Sequence, residues 1–173
     1  MHGALPSGMR TTNKTMRTFL FIVFLLFSCH SFSQECDSMR FGTPYDDAVR
    51  QLTSLYGEPS VVDENHCVFK NSVFKHGGTT FNEVKCNFKN NRLVEERFYK
   101  QARTKAAAVR NMMLLKKALE KQHSMSEDYE DDGTAFFTGG LAPTGIGRLF
   151  TISVQPRNGQ WATLLQYGPF KFN

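Results

Sequence analysis

The sequence has few of the residues that build metal and redox sites. Its 173 residues include four cysteines and five histidines, and none of them forms a Cys-x-x-Cys or a His-x-x-x-His spacing. Zinc sites and dithiol redox centres use such spacings, so neither is predicted. The Gly-x-x-x-x-Gly-Lys loop of phosphate-binding proteins is also missing. We therefore expect a protein that is not an enzyme.

One weak alternative for catalysis involves His66, Cys67 and His76, which fall within a short stretch of the chain. A thiol and a nearby imidazole can form a nucleophile and its base. His66 and Cys67 are adjacent in a predicted strand, however, and neighbouring residues of a strand point to opposite faces. A Cys–His pair within this strand is therefore disfavoured.

The longest apolar run is too short to span a membrane. Residues 19–27 are nine consecutive apolar residues that follow Lys14 and Arg17, whereas a spanning helix needs roughly 20. Ser31-Phe32-Ser33 then places small residues at the positions that a signal peptidase recognises. We predict a signal peptide over residues 1–33. Residues 1–15 lack the apolar pattern, and a start at Met9 or Met16 would make most of them a mis-assigned extension.

The same leader has a second interpretation. Leu26-Phe27-Ser28-Cys29 resembles the lipobox of bacterial lipoproteins, in which the cysteine becomes the lipidated first residue. Phe27 is bulkier than the residue usual at that position. We therefore expect a soluble protein exported to the periplasm or the exterior, with an outer-membrane lipoprotein anchored through Cys29 as the alternative. Only lipidation would bring a membrane contact.

Removal of the leader changes the charge and the cysteine count. The whole chain carries a formal charge of +5, but residues 1–33 hold three bases and no acid. The remaining 18 bases and 16 acids do not indicate a nucleic-acid partner. Cys36, Cys67 and Cys86 remain, and an oxidising compartment permits one disulfide among them. Cys67 and Cys86 fall on neighbouring predicted strands, so we favour that pair, although Cys36 can replace either.

Residues 34–173 have the pattern of a single α+β domain. Thr43 and Pro44 open a helix as its N-cap and first residue, and Gly57 ends it. Strands are predicted at 67–74 and 80–88, around the turn Gly77-Gly78.

The second half follows the same order of elements. Thr104 to Lys121 is predicted as a helix with Ala108, Met112, Leu115 and Leu119 on its core face. An acidic loop follows at 127–132, and strands at 148–155 and 160–166 are joined by Asn158-Gly159. The predicted fold is thus two repeats of a helix followed by an antiparallel β-meander, at about 38–100 and 101–173, packed as one domain.

Two known groups of proteins resemble this pattern. Gly42-Thr43-Pro44-Tyr45-Asp46-Asp47-Ala48-Val49, with Tyr56-Gly57-Glu58-Pro59 after it, resembles the opening helix and Gly-x-Pro exit of the SmpA/OmlA outer-membrane lipoproteins. The repeated unit is similar to the tandem architecture of β-lactamase-inhibitor proteins. The resemblance implies a fold whose members mostly bind other proteins through sheet and loop surfaces. We predict an exported, non-enzymatic protein-binding module of the bacterial envelope or exterior, with an envelope-assembly lipoprotein as the alternative.

The sharpest local motif is acidic. In Asp128-Tyr129-Glu130-Asp131-Asp132-Gly133, Asp128, Glu130 and Asp132 occupy positions 1, 3 and 5 of a calcium loop, with glycine at 6. Position 3 is Glu where Asp or Asn is usual, and position 12 falls on Gly139, which has no carboxylate. The interpretation we prefer is a solvated acidic loop and no cofactor, with calcium as the alternative.

Candidate residues for binding a partner lie near the C-terminus. Aromatic side chains left exposed often form interfaces, and we name Trp161 and Tyr167 as candidates, although core packing also suits Trp161. The glycine-rich connection that includes Gly145 leads to Arg148, and loops carried on a rigid sheet often bind ligands. The partner is predicted to be a protein that the sequence does not identify.

Overall fold

The computed structural model describes residues 41–70 and 73–172. All the described residues belong to one compact unit, residues 35–173. The predicted signal peptide, Cys29 and Cys36 lie outside the described residues. None of the helices in the described residues has both the length and the apolar character needed to cross a membrane.

Two helices occupy the described residues. Helix α1 spans Tyr45–Tyr56 and buries Ala48 and Leu52, which lie one turn apart. The residue before the helix is Pro44, and no side chain caps it, so the prediction of Thr43 as N-cap is wrong. Gly57 ends the helix with a φ of 83°, a left-handed conformation that glycine adopts at low cost, as predicted.

Helix α2 spans Lys105–Leu119 and agrees closely with the prediction. Thr104 accepts a hydrogen bond from the Ala107 N–H at 3.1 Å, which caps the helix. The buried residues are the four predicted for its core face, Ala108, Met112, Leu115 and Leu119.

Ten antiparallel strands form the rest of the structure. Eight belong to one sheet in the order β1-β2-β5-β6-β10-β9-β8-β7, and β3 and β4 form a separate hairpin. The strands are β1 (Val61–Val62), β2 (His66–Phe69), β3 (Phe74–His76), β4 (Thr79–Phe81), β5 (Glu83–Lys89), β6 (Arg92–Ala102), β7 (Met125–Tyr129), β8 (Ala135–Leu141), β9 (Arg148–Arg157) and β10 (Gln160–Tyr167).

The predicted fold class, α+β with two repeats of a helix and a meander, is wrong. The described residues are mostly β, with ten antiparallel strands and only two helices. The halves do not form separate meanders, because β6 pairs with β10 from Glu96↔Tyr167 to Ala102↔Trp161 and joins them in one sheet. Hydrophobic periodicity indicates that a segment is a strand but not which strand it pairs with. The repeat had been inferred from the order of elements alone.

The predicted hairpin around Gly77-Gly78 is divided into two pairs. Strands β2 and β5 pair within the main sheet, with Cys67 opposite Cys86. The intervening segment forms the β3–β4 hairpin, in which Phe74 faces Phe81. Both phenylalanines belong to the main hydrophobic core, so the hairpin folds over the sheet.

The core lies between the sheet and a layer made of α1, α2 and the hairpin. Thr163 on β10 donates a hydrogen bond of 2.8 Å to the Ala108 carbonyl of α2, which identifies the side of the sheet that α2 covers. Burial of each phenylalanine contributes about 1.5–3 kcal/mol. Five phenylalanines of this core are at most 2% exposed: Phe69, Phe81, Phe98, Phe137 and Phe150.

Candidate binding face of the sheet

The side of the sheet away from the helices carries an unusual density of charge. Residues alternate between the two sides of a strand, so the neighbours of Cys86, Phe98 and Thr163 point away from the helical layer. We call this side of the four central strands the far face. It consists of Glu83, Lys85 and Asn87 on β5, Glu95, Arg97, Tyr99 and Gln101 on β6, Ala162, Leu164 and Gln166 on β10, and Thr151, Ser153, Gln155 and Arg157 on β9.

Glu83 and Arg157 form the first ion pair of the far face. The Arg157 guanidinium donates a hydrogen bond to Glu83, although the two residues are 74 positions apart in the sequence. The Glu83 side chain is only 5% exposed and the Arg157 side chain 22%. Lys70 approaches the other carboxylate oxygen of Glu83 at 3.8 Å. A buried carboxylate costs several kcal/mol unless it is paired, so Arg157 stabilises Glu83 in this position.

Glu95 is the second buried carboxylate. It accepts hydrogen bonds from Arg97 Nη2 at 2.8 Å, from Gln166 Nε2 at 2.7 Å and from the Asn87 amide. Glu95 is 4% exposed. The three donors come from three adjacent strands, so the carboxylate connects the middle of the sheet.

Tyr99 lies between the two ion pairs. Its ring is 2% exposed and packs with Ala162 and Leu164 in a small apolar cluster separate from the main core. The Arg157 guanidinium carbon lies 3.6 Å from the ring centroid, a close cation–π contact.

Arg97 is held from two directions. Burial would lower the pKa of Arg97, but its hydrogen bonds to Glu95 and to Tyr99 outweigh burial, so the pKa is raised above its usual value. The guanidinium is therefore permanently charged. The array of Glu83, Arg157, Tyr99, Arg97 and Glu95 is continuous across β5, β6 and β9, and we call it the arginine array.

The arginine array is not fully satisfied. Arg97 Nε and Arg157 Nε are both buried, and neither has a hydrogen-bond partner among the residues that the structure describes. A buried donor without an acceptor costs about 1–3 kcal/mol. The array is thus held in place by its carboxylates, while two of its buried donors have no acceptor in the described structure.

Tyr167, predicted as an exposed interface residue, is buried instead. It is 9% exposed, and its hydroxyl lies 2.5 Å from His76 Nε2. Tyr167 pairs with Glu96 on β6 and therefore points towards the helical layer. The prediction was wrong because Phe170 and Phe172, beyond the last strand, pack against the core and cover this end of the sheet.

The other predicted binding residues are not brought together. Trp161 is half-buried on the helical side, with Lys105 Nζ 5.3 Å from its ring centroid. Gly145 is exposed in the connection between β8 and β9, and Arg148 is exposed at the start of β9. Ile146 beside Gly145 is 85% exposed. A binding role for these residues stays a prediction.

Cys67 and Cys86 occupy facing positions on β2 and β5, as predicted. Both are thiols in the described part of the chain, and both are fully buried. Cys86 Sγ lies 3.8 Å from Glu96 Oε1, and Tyr56 donates a hydrogen bond of 2.8 Å to the same oxygen. The disulfide between them stays a prediction.

His66 and Cys67 lie on opposite sides of the sheet. His66 Nδ1 is 2.9 Å from Asp63 Oδ1, on the side away from the buried Cys67. Hydrogen bonds from the backbone N–H groups of Asn65 and His66 hold the pKa of Asp63 below its usual value. The three residues of the catalytic alternative are therefore not assembled, since His76 contacts Tyr167.

The predicted calcium ligands are also spread apart. Asp128 lies on the edge strand β7, where a loop was predicted, and Glu130 begins the following turn. Asp132 is engaged by Lys105 Nζ at 2.7 Å and by the Thr134 N–H at 2.9 Å. Within residues 41–70 and 73–172, no group of three His, Cys, Asp or Glu side chains is placed to hold a metal ion.

Sequence reasoning did not find the arginine array. Glu95, Arg97 and Tyr99 alternate with Glu96 and Phe98, and such alternation is equally typical of a strand whose polar side faces solvent. The signal that was available is the presence of acidic residues in strands otherwise rich in apolar residues. This signal points to the buried acidic residues but does not indicate which arginines pair with them.

No family model matches this chain, and neither does any curated protein or any solved structure. The resemblance to the SmpA/OmlA lipoproteins and to the β-lactamase-inhibitor proteins therefore stays a prediction. The far face is therefore the feature from which a function can be inferred.

Proposed function

We propose that this chain is an exported, non-enzymatic protein-binding module of the bacterial cell envelope or exterior, and that it contacts its partner through the far face. The observation that carries the proposal is the arginine array, which places two partly exposed arginines on the side of the sheet that neither helix covers. Arginine is enriched among the residues that contribute most to protein interfaces.

The rigidity of the array also supports binding. Each guanidinium is fixed by a buried carboxylate, so little side-chain entropy remains to be lost when a partner arrives. A catalytic role is less well supported, because general acid–base catalysis needs a carboxylate within reach of a substrate proton. Glu83 and Glu95 are each about 5% exposed and already accept hydrogen bonds from arginine.

Site-specific photo-crosslinking in the native host tests this proposal. A benzophenone side chain replaces Ser153 on the far face, and in a matched control it replaces Lys117, which is exposed on α2. We expect a discrete protein adduct from position 153 and none of the same mass from position 117. Adducts from position 117 alone, or none from either position, would contradict the proposal. A melting curve of each variant verifies that it is folded.

A further inference from the structure

The two arginines of the far face converge on one side chain. The Arg157 guanidinium carbon lies 3.6 Å from the centroid of the Tyr99 ring, and Arg97 stands two residues before Tyr99 on the same side of β6. The two arginines are therefore neighbours of the same tyrosine on the far face. The two positive charges repel each other. The buried carboxylates of Glu83 and Glu95, each paired with one of the arginines, offset this repulsion.

The charge that reaches solvent on the far face is positive. Glu83 and Glu95 are the acidic residues that β5, β6, β9 and β10 turn towards this side, and both are buried. The Arg97 side chain is 35% exposed and the Arg157 side chain 22%. Lys85 stands directly opposite Arg97 on the neighbouring strand and adds a third cation.

The unfilled donors indicate which anion would fit. Arg97 and Arg157 each use Nη2 for their carboxylate, and in the described structure each retains a buried Nε without an acceptor. A guanidinium binds a carboxylate through two parallel N–H groups, a planar arrangement that lysine cannot provide. Nε itself is buried, so a carboxylate of a partner reaches these arginines only through the exposed part of each guanidinium.

From these contacts we infer that Arg97 and Arg157, on either side of Tyr99, form a site for the Asp or Glu carboxylates of an acidic segment of the partner protein. This inference rests on the proposed function and names the chemistry of the partner surface. Charge complementarity selects the occupant, since the exposed groups of the array are cations and its carboxylates are buried.

Nuclear magnetic resonance of the arginine side chains tests the inference directly. The ¹⁵N-labelled protein is titrated with a short peptide of alternating Glu and Ser, and separately with the matched Gln–Ser peptide. We expect the Nε–Hε resonances of Arg97 and Arg157 to shift with the first peptide and not with the second. Arg110, which is exposed on α2, serves as the internal reference and stays unmoved.

Substitutions that keep the charge separate geometry from simple attraction. We expect Arg97→Lys and Arg157→Lys each to weaken binding of the Glu–Ser peptide about tenfold, and Arg110→Lys to leave it unchanged. Equal binding by all three variants would overturn the inference, because a diffuse positive field would then suffice. An equal shift with inorganic phosphate alone, or self-association of the chain in place of peptide binding, would also overturn it.

The two proposals fail in different ways. A crosslinked partner at position 153 together with unmoved arginine resonances would retain the binding module and reject the carboxylate site. Loss of the crosslink in Arg157→Lys, with the melting temperature unchanged, would support both. If no adduct forms at position 153 in the chain that keeps both arginines, the proposed function itself is rejected.

Discussion

Arg157 reaches across the sheet to Glu83 while its guanidinium carbon lies 3.6 Å from the centroid of the Tyr99 ring. The arginine therefore serves two partners that lie on two different strands, β5 and β6. Its removal leaves a nearly buried carboxylate without its main counter-charge. This relationship makes Arg157 the residue of the far face whose loss has the largest expected effect on stability.

We expect Arg157→Ala to lower the free energy of unfolding by about 3 kcal/mol, because Glu83 stays buried and keeps only the more distant and exposed Lys70 as a counter-charge. Urea denaturation measures the change. The matched control is Arg110→Ala, since Arg110 is exposed on α2 and its loss should cost less than about 0.5 kcal/mol. The double variant Glu83→Leu/Arg157→Met should recover most of the loss, because it removes both charges together. A double variant no more stable than Arg157→Ala would contradict this account.

Gly77→Ala should destabilise the protein more than Gly133→Ala. Both glycines have positive φ, 53° and 75°, so each substitution carries backbone strain of about 1–2 kcal/mol. A Cβ at Gly77 would also lie 3.1 Å from Leu119 and 3.2 Å from Leu115, whereas a Cβ at Gly133 meets nothing within 4 Å.

The difference between these two glycine variants isolates the packing of the hairpin on α2. We expect it to be about 1 kcal/mol or more in thermal or urea unfolding, at the low end of the cost of overpacking. Equal losses would show that the β3–β4 turn moves away from α2 without cost.

The side chain of Asp132 should have a lower pKa than an ordinary aspartate. A hydrogen bond from Lys105, followed by one from Thr134, holds the pKa of Asp132 well below its usual value. The lowered pKa means that this carboxylate contributes stability above the unfolded-state pKa of about 3.9, and the contribution is lost as the pH falls. Titration of the Asp132 side-chain carboxyl by NMR measures the pKa. Lys105→Met should raise it towards the usual value, whereas Lys121→Met should not; an unchanged pKa in Lys105→Met would contradict the contact.

The intact mass of protein purified from its native envelope tests the leader and the cysteines together. A mass that begins at Gln34 is expected, about two daltons below the fully reduced value if one disulfide forms. A mass that begins at Cys29 with added lipid would favour the membrane-anchored alternative. If Cys67 and Cys86 remain thiols, their complete burial should keep thiol labelling at both slow until the protein is unfolded.

The parts of the fold that the sequence predicted well are those set by local chemistry. Helix α2 was predicted with its core face because an apolar residue every three or four positions specifies a helix wherever it lies. The Asn158-Gly159 turn was also predicted from local chemistry, because these two residues readily adopt the positive φ that such a turn requires. Both have positive φ in the structure.

The parts that the sequence did not predict depend on contacts between distant strands. The pairing of β6 with β10 joins segments more than 60 positions apart at Arg97↔Gln166, and nothing local to either strand specifies it. The arginine array has the same origin, since Glu83 and Arg157 are 74 positions apart in the sequence. Tyr167 was misplaced because its burial depends on a tail that packs back on the core.

The sheet ends on one side with β7, an edge strand whose Glu127, Asp128 and Tyr129 are all exposed. Unpaired backbone groups on an edge invite another strand to add to the sheet. If the β7 strands of two molecules paired, their carboxylates would lie close together, and the repulsion between them would oppose this pairing. The other edge, β1, has only two residues. The acidic side chains of β7 and the short length of β1 thus disfavour polymerisation of the protein through the edges of its sheet.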